Sequence, residues 1–235
     1  EDVARLMGGE KANLWLTDPP YNVAYEGSNG MTIENDNMED TQFRNFLRGA
    51  FQCVHDHMEP GASFYIFHAD SEGYNFRGAC HDIGLKVRQC LIWKKNALVL
   101  GRQDFQWLHE PALYGWKDGA AHAWYNDRSQ TTVMEFNKPK HNDVHPTMKP
   151  VEMLVYLIKN SSKRGEIVID TFGGSGSTLI ACEQTGRICR TMELDPKYCD
   201  VIRRRWAEFT AGEGCDWQSL TPPIAEKHST EIVNL

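Results

Sequence analysis

The chain has no Cys-x-x-Cys pair, although seven cysteines (53, 80, 90, 182, 189, 199 and 215) are spread along its 235 residues. An odd count without that spacing argues against a disulfide framework and against a zinc site, and reads as reduced, mostly buried thiols in a cytoplasm. His55 and His57 are two apart on an expected helix, so they diverge and make poor co-ligands; no metal is expected. No apolar run approaches the roughly 20 residues that cross a bilayer, and no basic-then-apolar signal segment opens the chain. The first residue is Glu1 and not Met, which leads us to expect a longer gene product. Basic charge is also scarce, with 25 Lys and Arg against 32 Asp and Glu, a net charge of −7.

That deficit is uneven. Residues 1–85 carry 5 Lys or Arg against 14 acidic residues, residues 150–235 carry 10 against 12, and residues 86–149 carry 10 against 6. The middle third is thus the one net basic part, either a solvated face or a phosphate-contacting insert on an acidic body. Apolar content of 41% and charged content of 24% are ordinary for a globular protein, and the length suits one α/β domain with an insertion.

Thr17-Asp18-Pro19-Pro20-Tyr21 follows the apolar run Asn13-Leu14-Trp15-Leu16. The run reads as a buried strand, and the two prolines, lacking amide hydrogens, end it in a loop. A carboxylate, a carbonyl freed from any ladder and an aromatic ring then stand together at the carboxyl end of a strand. Such a group suits a planar aromatic amine: two acceptors for an NH2 and a ring to stack on. Beyond it, Asn22 to Asp36 is rich in Gly, Asn and Ser and is expected to form a mobile loop over the site.

Phe43, Phe46, Leu47, Ala50, Phe51 and Val54 predict a helix from Asp40-Thr41 to Pro60-Gly61. Strands are expected at Ala62–His68 and Arg88–Lys95, with a helix at about 71–83 between them. The alternation argues for a mostly parallel sheet with helices on both faces. From Asn96 to Asp143 the pattern weakens, apart from a candidate strand at 109–117. Arg102, Gln103, Trp107, Arg128, Lys138 and Lys140 lie in this stretch, a composition that suits reading base edges and gripping phosphates. We therefore divide the chain into an α/β catalytic and cofactor-binding domain (1–95 and 144–212), a recognition insert (96–143) and an extended or loose tail (213–235).

Order returns with His145-Pro146-Thr147-Met148-Lys149-Pro150 and a helix striped by Met153, Leu154, Leu157 and Ile158. Next, Glu166 to Thr178 reads as a strand turning through Gly173-Gly174-Ser175-Gly176 into a helix that Gly186 caps, the entry of a nucleotide-type site. Glu193, at the end of the next expected strand, is placed to take ribose hydroxyls, and Asp195-Pro196 starts the last helix. On that helix Tyr198, Val201, Ile202, Trp206 and Phe209 are expected to be the apolar face, with Arg203 to Arg205 mostly solvated. The glycine turn is an incomplete dinucleotide fingerprint, with Leu179 at the third glycine. No Lys follows it, so it is no Walker sequence either. A short glycine turn with an acidic strand end fits S-adenosylmethionine, which has no phosphates to cradle.

As a set, residues 13–25 and 145–206 resemble the beta-type DNA amino-methyltransferases, in which Asp-Pro-Pro-Tyr precedes the cofactor glycine motif with a recognition segment between. The resemblance implies a Rossmann-like fold with circularly permuted motif order. It also implies S-adenosylmethionine as methyl donor and double-stranded DNA as partner, with a homodimer as one assembly it allows. The expected setting is the cytoplasm of a bacterial or phage-infected cell. It implies that Asp18 and the Pro19 carbonyl accept hydrogen bonds from the target amine and that Tyr21, beyond Pro20, stacks on a base rotated out of the duplex. Asp170, Phe172, Gly173, Gly174, Ser175 and Gly176 would line the cofactor, with Asp195 beside them. Glu193 would take its ribose, and Thr147 and Lys149 its methionine carboxylate. Asp in place of Ser at the head of the motif is associated with adenine N6, so an adenine-specific enzyme is expected ahead of a cytosine N4 enzyme. An RNA or protein methyltransferase would share the cofactor turn but more often begins its amine motif with Asn. A dehydrogenase would leave Pro-Pro-Tyr unexplained, and an idle DNA-binding module would be expected to have lost Asp18 or Glu193.

Overall fold

The computed structural model describes residues 1–23, 36–137 and 148–222. The expected loop between Asn22 and Asp36, the His145–Thr147 segment with Thr147, and Lys138 and Lys140 fall wholly or mainly outside those residues.

The strand expected before Asp18 is β1, Ala12–Thr17. Its side chains alternate between two packed layers, as a strand's period of two requires. Trp15 is fully buried on one face, edge-on to Phe51 with ring centroids 5.1 Å apart. Phe51 belongs to α2, Asp40–Asp56, whose buried stripe is Phe43, Leu47, Phe51 and Val54. Leu14 and Leu16 face the other layer, with Met153, Leu154, Leu157 and Ile158 of α3, Val151–Ser161. Pro150 is the N-cap of that helix rather than a member of its first turn. Such a strand, apolar on both faces, belongs in the interior of a covered sheet.

β1 pairs in parallel with β2, Met58–Phe67, on one side and with β3, Ile167–Asp170, on the other. β4, Ile188–Thr191, continues the sheet in parallel beyond β3. On the far side of β2 comes β5, Trp107–Trp116, antiparallel to it, then β6, Val87–Val99, and the short edge strand β7, Val133–Glu135. The sheet order is therefore β7-β6-β5-β2-β1-β3-β4. Trp107–Trp116, part of the stretch read as a recognition insert, lies in the interior of this sheet, between β2 and β6.

Pro60 and Gly61 do not stop α2. They lie inside β2, where the register against β1 shifts between Ala12–Met58 and Leu14–Ser63. The extra residues form a bulge, and Gly61 takes φ 82° there. Two further readings need correction. Residues Trp217–Leu220 of the supposed loose tail form a helical turn capped by Asp216. Arg205, expected in solvent, donates to the Ser175 carbonyl from α4, Pro196–Ala211. On that helix Ile202 and Ala207 are buried, while Phe209 is half exposed.

The connection from β1 to β2 runs through α2 on one face, and that from β3 to β4 through α5, Ser177–Thr185, on the other. Crossovers that leave β1 and β3 to opposite faces open a crevice between their carboxyl ends, the place where open α/β sheets bind ligands. Among the described residues no helix is long and apolar enough to cross a membrane.

Gly115 in β5 tests how tightly the sheet is packed. A Cβ built there lies 2.4 Å from the Lys86 carbonyl oxygen and 2.7 Å from the Phe64 ring. Gly115→Ala is expected to lower unfolding stability by about 1–3 kcal/mol in a urea titration, the usual cost of overpacking; an unchanged midpoint would show that the strand yields freely.

Candidate active site

At the end of β1 the double proline stops the ladder, and the chain folds back so that Tyr21 reaches its own neighbour. The Tyr21 hydroxyl lies 2.5 Å from Asp18 Oδ1 and 2.6 Å from Glu110 Oε1. Tyr21 and Asn22 are tied to Asp36 and Met38. The Tyr21 amide donates to Asp36 Oδ1 at 2.9 Å, and Asn22, at φ 57°, exchanges two hydrogen bonds with the Met38 backbone. Asn is one of the few side chains that accept this left-handed conformation. The Tyr21 ring stands edge-on to Phe76, with centroids 6.4 Å apart.

Lys149, just before α3, meets this group from the other side. Its ammonium donates to Asp18 Oδ2 at 2.5 Å and to the Tyr21 oxygen at 3.1 Å, and it pairs with Glu110 Oε1 at 2.7 Å. It also sits over the rings of Tyr21 and Phe67. The sequence placed Lys149 at a cofactor carboxylate; here its partners are two protein carboxylates. Glu110 on β5 and Lys95 on β6, 2.8 Å apart, complete the cluster. Neither was singled out from sequence. The available signal was a carboxylate inside an otherwise apolar strand, at the position before Pro111.

Burial dominates the electrostatics. It pushes the Asp18 carboxyl up, and the Glu110 charge adds to that push against the pull of Lys149. For Glu110 burial also works upward, but Lys149 and Lys95 overcome it and hold the group at about 2. Burial and then both carboxylates keep the Tyr21 hydroxyl protonated well above its ordinary range. Lys149, which burial alone would lower, is raised by Asp18 and Glu110. Tyr21 has one proton for two carboxylate oxygens, so the cluster has room for one more proton, and Asp18 is the carboxyl that can take it.

Across from Asp18, β3 ends at Asp170, which accepts from Thr17 Oγ1 at 2.9 Å and from the Phe172 amide at 3.1 Å. Gly173 closes against the end of β4, its amide donating to the Met192 carbonyl; a Cβ there would lie 2.7 Å from Thr191 Oγ1. Gly176, at φ 78°, is the N-cap of α5. Glu193 Oε2 accepts from the Gly174 amide at 2.7 Å, while Oε1 takes the Leu194 and Asp195 amides. Asp195 caps α4 through the Lys197 amide. Glu193 thus braces the glycine turn against the chain beyond β4.

One cleft joins the two halves. Asp18, Phe67 and Lys149 line one side, and Asp170, Phe172, Gly173 and Ser175 the other.

The residues expected to touch DNA are only partly brought together. Arg102, Gln103 and Trp107 are exposed in and beside the turn between β6 and β5, beyond the carboxyl end of β2. Leu100 and Phe105 on the same turn are 83% and 91% exposed. Arg128 is elsewhere: Asn126 and Gln130 beside it bond Asn160 and Tyr156 in the C-terminal half of α3, which runs away from the cleft.

With this geometry in view, the profile of the DNA methylase family N6_N4_Mtase matches residues 12–204. The type II methyltransferase M2.DpnII of Streptococcus pneumoniae is 25% identical over 227 residues, covering 85% of this chain and 84% of its own. Among solved structures, the complex of M1.HpyAVI with SAM superposes with a TM-score of 0.66 at 19% identity, over 87% of this chain and 96% of that one. PvuII DNA methyltransferase, described as cytosine-N4-specific, gives 0.72 at 15% identity, over 94% and 87%. These likenesses establish the fold as that of S-adenosylmethionine-dependent DNA methyltransferases.

Asp170 gives a pH test of the cleft. Burial raises its carboxyl from 3.8 to about 7, despite hydrogen bonds from Thr178, Thr17 and Phe172. Between those values the unfolded chain loses a proton that the folded chain keeps, so rising pH destabilises the fold through this group. Relative to Asp170→Asn, the wild-type protein should lose roughly 2–3 kcal/mol of unfolding stability between about pH 5 and pH 7.5. A pH-independent difference would contradict the assignment.

Proposed function

The chain belongs to the DNA methylase family, and from that membership we propose that it methylates the exocyclic N6 amine of adenine in double-stranded DNA, with the base rotated out of the duplex. The family draws its methyl group from S-adenosylmethionine. The reading is carried by one observation: Asp18 and the glycine turn line the same cleft, though 150 residues separate them in sequence. The motif order is that of the beta-type enzymes, and Asp18 at the head of Asp-Pro-Pro-Tyr supports adenine ahead of cytosine.

The cleft suits this cofactor. Its lining combines a buried carboxyl, the hydroxyls of Ser175, Ser177 and Thr178, an aromatic ring and glycine backbone. Among the described residues Lys149 is the one cation of that lining and is already paired, which suits a cofactor without a polyphosphate. Asp170, Phe172 and Gly173 to Gly176 would hold the cofactor, with Glu193 at the ribose. When bound, S-adenosylmethionine supplies a methyl group on a positive sulfur that departs as a neutral thioether.

The chain's own residues orient the acceptor. Asp18 and the Pro19 carbonyl accept the two amine hydrogens, which draws the nitrogen lone pair out of conjugation with the base. Holding the nitrogen in line with the methyl supplies much of the rate. As the nitrogen gains its methyl it becomes acidic, and its proton passes to Asp18, whose affinity for it burial has increased. Phe172 lines the cleft; on this proposal the Tyr21 ring stacks on the rotated base, and the exposed turn carrying Arg102, Gln103 and Trp107 faces the duplex.

Asp18→Ala is expected to abolish methyl transfer to DNA while leaving cofactor affinity within a few-fold. Strong loss of cofactor binding would show instead that the change unfolds the cleft. Nucleoside analysis of DNA from expressing cells should find N6-methyladenine, and N4-methylcytosine in its place would overturn the choice of base. Arg102→Ala together with Trp107→Ala should weaken DNA binding about tenfold and flatten its salt dependence, with cofactor binding unchanged. An unaltered DNA affinity would remove that turn from the interface.

A further inference from the structure

Glu110 is absent from the sequence motifs, yet it sits at the centre of the polar cluster behind Asp18. We propose that Glu110 is a positioning residue for methyl transfer, engaging Lys149 and the Tyr21 hydroxyl so that Asp18 stays able to accept the amine proton. This rests on the functional reading given above.

The geometry is that of a shared partner. Lys149 lies 2.5 Å from Asp18 and 2.7 Å from Glu110, and both carboxylates reach the same Tyr21 hydroxyl, at 2.5 and 2.6 Å. If Lys149 had Asp18 alone, the two would form a closed buried ion pair, and the carboxylate would be a weak proton acceptor. Glu110 divides the charge of Lys149 between two anions. Lys95, 2.8 Å away on β6, offsets the cost of the extra buried charge and pins the Glu110 carboxylate in place. Lys95, Lys149 and Glu110 have side chains only 6–11% exposed, against 23% for Asp18. Asp18 is thus the most exposed member of the cluster; Lys149 shares the cleft wall with it, while Glu110 and Lys95 are not part of that lining.

Every neighbouring element contributes a group to this field. Tyr21 comes from the loop after β1, and Asp36 binds the Tyr21 amide. Lys149 precedes α3, Glu110 is on β5 and Lys95 on β6. Asp170 at the end of β3 feels the Asp18 charge, which adds to the upward push of burial on it. His68 follows β2 and is kept neutral by burial, with Glu110 within electrostatic range. Among these, Glu110 alone carries a like charge that repels that of Asp18 and also shares two of its partners.

The account assigns a proton balance. The nitrogen–methyl bond forms as the sulfur–methyl bond breaks, its electron pair staying on sulfur. The amine proton moves to Asp18, and Glu110, Lys95 and Lys149 keep their charges throughout.

The test uses the full chain with Glu110→Gln, Glu110→Asp and the charge-neutral pair Lys95→Met/Glu110→Gln. Two readings are taken against pH: the carboxyl carbon resonance of Asp18 in the protein alone, and the single-turnover rate of methyl transfer to DNA. In Glu110→Gln both the Asp18 midpoint and the acid limb of the rate are expected to fall by about one pH unit, with cofactor affinity held within twofold. Glu110→Asp should bring the midpoint back toward wild type. The double variant should show the same fall, and it replaces Glu110→Gln if that protein does not fold. A folded variant whose Asp18 midpoint stays at the wild-type value overturns the role of Glu110 alone. Absence of transfer by the wild-type chain at every pH overturns the functional reading and this one with it.

Discussion

The hydrogen bond from Thr17 to Asp170 marks the contact on which the site depends. It joins the carboxyl ends of two parallel neighbours, β1 and β3, whose strands come from opposite ends of the chain. Each end then turns away from the sheet for its own reason: two prolines after β1, a run of glycines after β3. Because the crossovers depart to opposite faces, a gap opens between those ends. The acceptor motif and the cofactor turn therefore meet without either being close to the other in sequence.

The gap also sets the electrostatics. A carboxylate at the mouth of a buried crevice loses much of its solvation, and burial is the leading influence on Asp18, Tyr21, Glu110 and Asp170 alike. Two lysines compensate for two carboxylates in the cluster, so the site carries its charge in pairs. Such pairs contribute little net stability once desolvation is counted. On the proposed function their value is chemical: the tyrosine stays protonated and Glu110 ionised, while Asp18 takes the proton.

Sequence reached those parts of the site whose chemistry is local. Asp18 to Tyr21 could be read because the prolines both end the strand and name the motif. The glycine turn could be read because Gly173 and Gly176 answer a close approach and a left-handed backbone within a few residues. Glu193 followed from its distance along the chain, although its bonds to the Gly174, Leu194 and Asp195 amides were not foreseen. Glu110 and Lys95 could not be read in this way. Antiparallel pairing of β5 with β2 and β6 brings them in, and pairing partners leave no trace in local periodicity. β5 itself was legible as a candidate strand at 109–117, but its place in the sheet interior, between β2 and β6, was not. The same limit hid the bulge at Gly61, where turn residues lie within a strand, and the inward reach of Arg205 to Ser175.

The central claim is that Asp18 stands within a methyl group's reach of the cofactor cleft. A crystal structure of the chain with S-adenosylmethionine bound tests it most directly. The account predicts the methyl carbon pointing at the mouth of the cleft, about 3–3.5 Å from the point where an amine nitrogen would donate to Asp18. A cofactor seated with its methyl facing away from Asp18, or bound outside the cleft between β1 and β3, would contradict it.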